Sequence, residues 1–195
     1  MWPWEHLAVG YILVSLWARA TDRRLDSGAA LAVLLGTQFP DLVDKPLAWS
    51  LSIFPSGISV AHSVFVSVPF AILVALVARQ FGLTTIGVAF AIGYLSHIPA
   101  DLFYSGFFFG NYGALQSFMW PISYGPESTG VGLFNRTWYF LSRFLVYLRR
   151  PEAWVFIVFE LLLVGSAFFL WVRDGSPGLA LVRRSVNDIR RSVTR

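Results

Sequence analysis

The chain has 195 residues, of which 56% are hydrophobic and only 13% charged, with a mean hydropathy of +0.62. Soluble domains carry roughly 25% charged residues, so this composition excludes an ordinary soluble domain and indicates an all-α, polytopic membrane protein. The absence of cysteine excludes disulfides, thiolate metal sites and cysteine nucleophiles together. The net charge of +4 lies in arginines beside apolar runs. It reads as a topology signal, and no nucleic-acid partner is expected.

The N-terminal MWPWEH has no basic region and no small-residue cleavage site follows, so the first apolar run is expected to be retained. A bilayer core of about 30 Å needs roughly 20 helical residues. EHLAVGYILVSLWARA (5–20) is the first predicted span, with Trp2 and Trp4 as interfacial anchors. SGAALAVLLGTQFPD (27–41) is a shorter second span, with Pro40 as its expected stop. GISVAHSVFVSVPFAILVALVAR (57–79), LTTIGVAFAIGYLSHIPADLFY (83–104) and EAWVFIVFELLLVGSAFFLWV (152–172) bring the predicted spans to about five.

Residues 105–151 are rich in glycine and aromatics. From Phe134 to Arg150, Phe134, Trp138, Leu141, Leu145 and Leu148 share one face while Arg136, Arg143 and Arg150 share another, the pattern of a helix lying in the interface plane. The C-terminal LALVRRSVNDIRRSVTR repeats this scheme. The expected organisation is one helical membrane domain over 1–173, with a metal-site core in 1–123, followed by a basic amphipathic tail over 174–195. Ten basic residues fall on one side of the five-span topology and five on the other, which points to a cytoplasmic C-terminus in the cell's inner membrane.

The three histidines are His6, His62 and His97. They stand at the start of span one, the start of span three and the end of span four, all at the same membrane face under alternating topology. The end of span two adds Asp41 and Asp44, and Asp101 follows His97 by one helical turn. Polar side chains at bilayer depth cost several kcal/mol and usually mark function. Taken singly, each residue also fits an interfacial histidine, a capping aspartate or a proline bend. Their convergence at one face instead points to a metal site.

Three imidazoles and three carboxylates suit Zn²⁺ first, and Mn²⁺ or Fe²⁺ as well. Six ligands without cysteine suggest two ions, with an aspartate free to bridge. Two divalent ions against three aspartates leave a small positive excess, which favours an anionic ligand such as hydroxide or phosphate. Asp44 is expected to bridge or to act as the general base that positions water.

EHLAVGY, LGTQFPDLVDKP, AHSV and GYLSHIPAD, followed by FMWPIS, resemble the LexA-binding, inner-membrane-associated family described as metal-dependent hydrolases, over about residues 1–123. That family resembles in turn the soluble zinc-dependent phospholipases C, all-helical proteins with a multinuclear zinc centre. The resemblance implies His6, Asp41, His62, His97 and Asp101 as metal ligands. It departs downstream, where the soluble enzymes have further histidines and a glutamate and this chain has no histidine after His97. The family name implies binding of a regulator, and no protein-recognition motif is seen for it.

Three functions follow as expectations. The first is a membrane-bound metal-dependent phosphoesterase acting on a lipid or lipid-linked substrate, with membrane lipid as its neighbour. The second is a divalent-metal transporter, for which Glu160 is the one deep carboxylate elsewhere. The third is a non-catalytic protein whose metal only ties helix ends together.

Overall fold

The computed structural model describes residues 1–179, apart from 124–126 and 128–129. Of the expected C-terminal tail (174–195), residues 180–195 thus lie outside the described residues. Among those described there are six α-helices, one 3-10 helix and no strand. The α-helices are α1 (Pro3–Ala20), α2 (Ser27–Trp49), α3 (Val64–Gln80), α4 (Thr84–Phe109), α5 (Leu133–Tyr147) and α6 (Ala153–Arg173), with the 3-10 helix at Tyr112–Phe118.

Two helices, Thr84–Phe108 and Ala153–Arg173, are long and apolar enough to cross a membrane by length and composition, fewer than the five expected. The physical reason lies in the site itself. α1 carries Glu5, His6 and Arg19, and α2 carries Asp41, Asp44 and Lys45, which dilute the apolar character of both. α3 is apolar but has only 17 residues. It starts seven residues later than expected, because residues 54–63 form turns and Ser63 caps the helix by accepting from Phe65 N–H.

The second predicted span ends later than expected. α2 runs through Pro40 and Pro46 to Trp49. A proline removes one N–H and crowds the preceding turn, but packed neighbours can satisfy the freed polar groups. Just before Pro40, the Thr37 carbonyl accepts from His97 Nδ1 at 2.7 Å. Asp41 and Asp44 therefore sit on a helix, not in a loop after one.

The core joins α1, α2 and α4 through Tyr11, Val14, Ala29, Ala32, Val33 and Ala89. Close approach of α2 to α4 depends on two glycines. A Cβ on Gly36 would lie 2.4 Å from the Phe90 carbonyl oxygen, and one on Gly93 would lie 2.9 Å from that of Val33. Small residues that let backbones touch are the usual device of helix pairs in membranes. Here they bring Thr37 and His97 within hydrogen-bonding reach. Outward, α3 exposes Ile72, Leu73 and Leu76, and α6 exposes Leu161, Leu162, Phe168 and Phe169. Such contiguous apolar surface suits lipid, not water.

Candidate metal centre

His6 comes from the first turns of α1, Asp41 from α2, His62 from the loop before α3, and His97 and Asp101 from successive turns of α4. All three imidazoles are buried, while Asp41 and Asp101 keep slight side-chain exposure. The Nε2 atoms of all three histidines turn toward the two carboxylates. His6 Nε2 lies 3.3 Å from Asp101 Oδ1, and His97 Nε2 lies 3.4 Å from Asp101 Oδ2. His62 Nε2 lies 3.4 Å and His97 Nε2 3.7 Å from Asp41 Oδ1. The rings of His6 and His97 stack with centroids 3.7 Å apart, and His62 meets His97 edge-on at 5.0 Å.

The tautomers of two histidines follow from their surroundings. His97 Nδ1 faces the Thr37 carbonyl, and a carbonyl only accepts, so Nδ1 carries the proton and Nε2 the lone pair. His62 Nδ1 lies 2.8 Å from Asp44 Oδ2, and the carboxylate imposes the same choice. Acceptors behind Nδ1 that leave Nε2 free are the usual outer shell of metal-ligating histidines. The Nε2 atoms of His6 and His97 are buried without a hydrogen-bond partner, a costly state unless something else binds them.

The spacing is compatible with a shared metal ion. Two ligand atoms about 2.0–2.1 Å from one tetrahedral ion stand about 3.3–3.4 Å apart. Three of the four nitrogen–oxygen separations above have that value. Two sets gather potential ligand atoms within 4.8 Å of one another: His6, Asp41 and His97, and His62, His97 and Asp101. Both include His97. An imidazole nitrogen has a single lone pair and cannot serve two ions at once, so this arrangement fits one ion better than the two expected from ligand count.

Asp44 differs from the other five expected ligands. It is fully buried. Its Oδ2 accepts from the amides of Ser59 at 2.8 Å and His62 at 3.1 Å, besides facing His62 Nδ1. Its Oδ1 accepts from the amide of Ala61 at 3.1 Å. With both oxygens engaged, it supports His62 and shapes the loop, and it stands in neither group of converging ligand atoms. His62 lies outside the helices, and burial disfavours its charge. Hydrogen bonds to Asp41 and Asp44, and their negative charges, outweigh that and push the imidazole up to about 9, so a metal binding at Nε2 would have to displace a proton.

Several residues of the site were not anticipated from the sequence. Lys45 Nζ reaches Asp41 Oδ2 at 2.5 Å, an i,i+4 pair visible in the spacing once the helix is known to continue. Thr37 contributes only its backbone, which no side-chain pattern announces. Beside His6, Glu5 is fully buried and receives the Trp2 amide at 2.5 Å. Glu160 of α6 accepts from Trp4 Nε1 at 3.2 Å. Both glutamates retain a buried oxygen with no hydrogen-bond partner.

Neither a curated protein nor a solved structure matches the chain. The family model described as YdjM inner membrane protein matches residues 1–174. That description carries the membrane location, and neither LexA binding nor hydrolysis. The chain, with its buried histidine–aspartate cluster, belongs to this family of inner membrane proteins.

Proposed function

We propose that the protein is a membrane-embedded, metal-dependent phosphoesterase working on a lipid or lipid-linked substrate. In this reading α1, α2, α3, α4 and α6 cross the bilayer, and the C-terminus is cytoplasmic. One divalent ion, zinc before manganese or iron, is held by His62, His97, Asp41 and Asp101, with His6 as a fifth ligand. The observation that carries the reading is the set of imidazole nitrogens spaced from two carboxylates as ligands of one ion are, two of them with Nδ1 anchored from behind.

A divalent ion bound there supplies Lewis acidity toward a phosphoryl oxygen and activates a water. The chain's own residues do the rest. Asp44 positions His62 and takes no part as ligand or base. Lys45 holds Asp41 in place and adds a positive charge beside the space where a phosphate would enter. The slight exposure of Asp41 and Asp101 supports access to the ion from that side.

The test is elemental analysis of detergent-purified protein, followed by a screen of phosphoesters and phospholipids. About one ion per chain, with turnover that vanishes in a folded His97→Ala variant, is the expected result. Stoichiometric metal with every substrate unchanged would sink the hydrolytic reading. The near-complete burial of all three imidazoles favours a second reading, in which the ion only ties helix ends together. On that reading each ligand variant unfolds, and no stable inactive form is obtained.

A further inference from the structure

Helix α5 is anchored beside the two helices that carry His6 and Asp41. Phe144 packs on Trp2, the N-cap of α1, with ring centroids 4.8 Å apart. Phe140 packs on Trp49, the last residue of α2, at 6.0 Å. Lys45, which pairs with Asp41, stands 5.7 Å from that same Trp49 ring. A line of aromatic and cationic groups thus runs from the candidate metal centre to α5.

Two arginines flank Tyr139 on this helix. Their guanidinium carbons lie 5.9 Å (Arg136) and 5.6 Å (Arg143) from the ring centroid, and Arg136 is also 5.3 Å from the Phe140 ring. Arg143 Nη1 donates to the Tyr139 hydroxyl at 3.0 Å. Among the described residues neither arginine joins an ion pair. The Nε of Arg136 is buried and has no hydrogen-bond partner. Arg136 as a whole is half-buried, and its terminal nitrogens, like those of Arg143, are free of any carboxylate partner among the described residues, which leaves both guanidinium groups able to take an anionic ligand.

Residues 133–150 contain four arginines and no acidic residue. The same helix exposes Phe134, Trp138, Leu145 and Val146. An apolar face for acyl chains beside guanidinium groups for a headgroup is the composition of a helix seated in an anionic membrane surface. Phosphate accepts several N–H donors at once and offsets the positive charge of two guanidinium groups held against one ring.

We propose that Arg136 and Arg143, on either side of Tyr139, clamp the phosphate of an anionic membrane phospholipid beside the metal centre. An anionic phospholipid then becomes the substrate class of that centre, a step that rests on the hydrolytic reading, whereas the clamp itself does not. The test uses the full chain in nanodiscs of phosphatidylcholine mixed with phosphatidylglycerol. The protein is extracted into mild detergent and its retained lipids are measured by mass spectrometry.

Wild-type protein is expected to retain phosphatidylglycerol over phosphatidylcholine, and retention should fall about five-fold per arginine removed in R136Q/R143Q. R136K/R143K should recover only a minor part, because an ammonium lacks the planar fork. Equal retention by the glutamine pair and wild type would overturn the clamp. Full recovery by the lysine pair would overturn it too, in favour of diffuse basic attraction. Arg143→Gln alone, at an exposed position, provides the comparison if the double variant does not fold. Metal content of the same samples keeps the two readings apart: a metal-free wild type that still retains the anionic lipid removes the hydrolytic centre and leaves the clamp standing.

Discussion

The two ends of α1 each hold a polar cluster, and the clusters differ in one respect. At the far end, Asp174 caps α6 and accepts from Tyr11 at 3.1 Å, Ser15 at 2.7 Å and Arg19 at 2.6 Å. The two hydroxyls and an Arg19 N–H all converge on one carboxylate, and the cluster works as a clamp between α1 and α6. At the near end, His6 stacks on His97 and both leave Nε2 buried without a partner, within ligand spacing of two carboxylates. A buried polar group left unsatisfied costs about 1–3 kcal/mol, which a fold tolerates where a bound ligand offsets it. The lesson is that satisfaction, not polarity, separates a structural polar cluster from a candidate functional one.

That contrast breaks first if the histidine cluster binds no metal. Replacing His97 by alanine should lower bound metal more than any change at the far end, and elemental mass spectrometry on folded, purified protein reads the loss directly. Next, Asp44→Asn should weaken metal binding by about 10–100-fold through His62, as loss of an outer-shell partner does. It should also destabilise the chain by on the order of 3 kcal/mol, because it sets an amide donor against backbone N–H groups. A chelator titration with a thermal-unfolding scan separates those two effects.

Gly36→Ala sharpens the comparison differently, since it touches neither cluster's side chains. The added Cβ would meet the Phe90 carbonyl oxygen at 2.4 Å and should cost about 1–3 kcal/mol by overpacking. It should also loosen metal binding by shifting the Thr37 carbonyl away from His97. An unchanged melting temperature would show that α2 and α4 do not approach as closely as described. The smallest effect belongs to Asp174→Asn, expected to cost about 1 kcal/mol with metal content unchanged, given that Arg19 is substantially exposed and screened. Metal loss in that variant would mean that the two ends of α1 are coupled, and that the contrast between them is false.

Much of the fold was legible because hydrophobic length and helical period are local properties. α1, α6 and the amphipathic α5 fall close to their predicted places, since each is defined by its own residues. α2 and α3 do not. Pro40 signals a stop by its own chemistry, yet the helix continues because α4 packs against that turn. The start of α3 is delayed because Asp44, on another helix, gathers the amides of Ser59, Ala61 and His62. The apolar length needed to cross a membrane is present in α4 and α6, whereas the site residues of α1 and α2 lower their apolar character.

The sequence by itself determined the composition class and named six candidate ligands, of which the fold gathers His6, Asp41, His62, His97 and Asp101. Those follow from local hydrophobicity, from residue type, and from the i,i+4 spacing of His97 and Asp101. Only the tertiary structure decided that Asp44 supports His62 and stands in neither group of converging ligand atoms, and that the Thr37 carbonyl sets the His97 tautomer. It also decided that the two groups of potential ligand atoms share His97. Spacing along a chain says which groups can meet, while the donors already committed to a carboxylate or an imidazole are known only once the helices are packed.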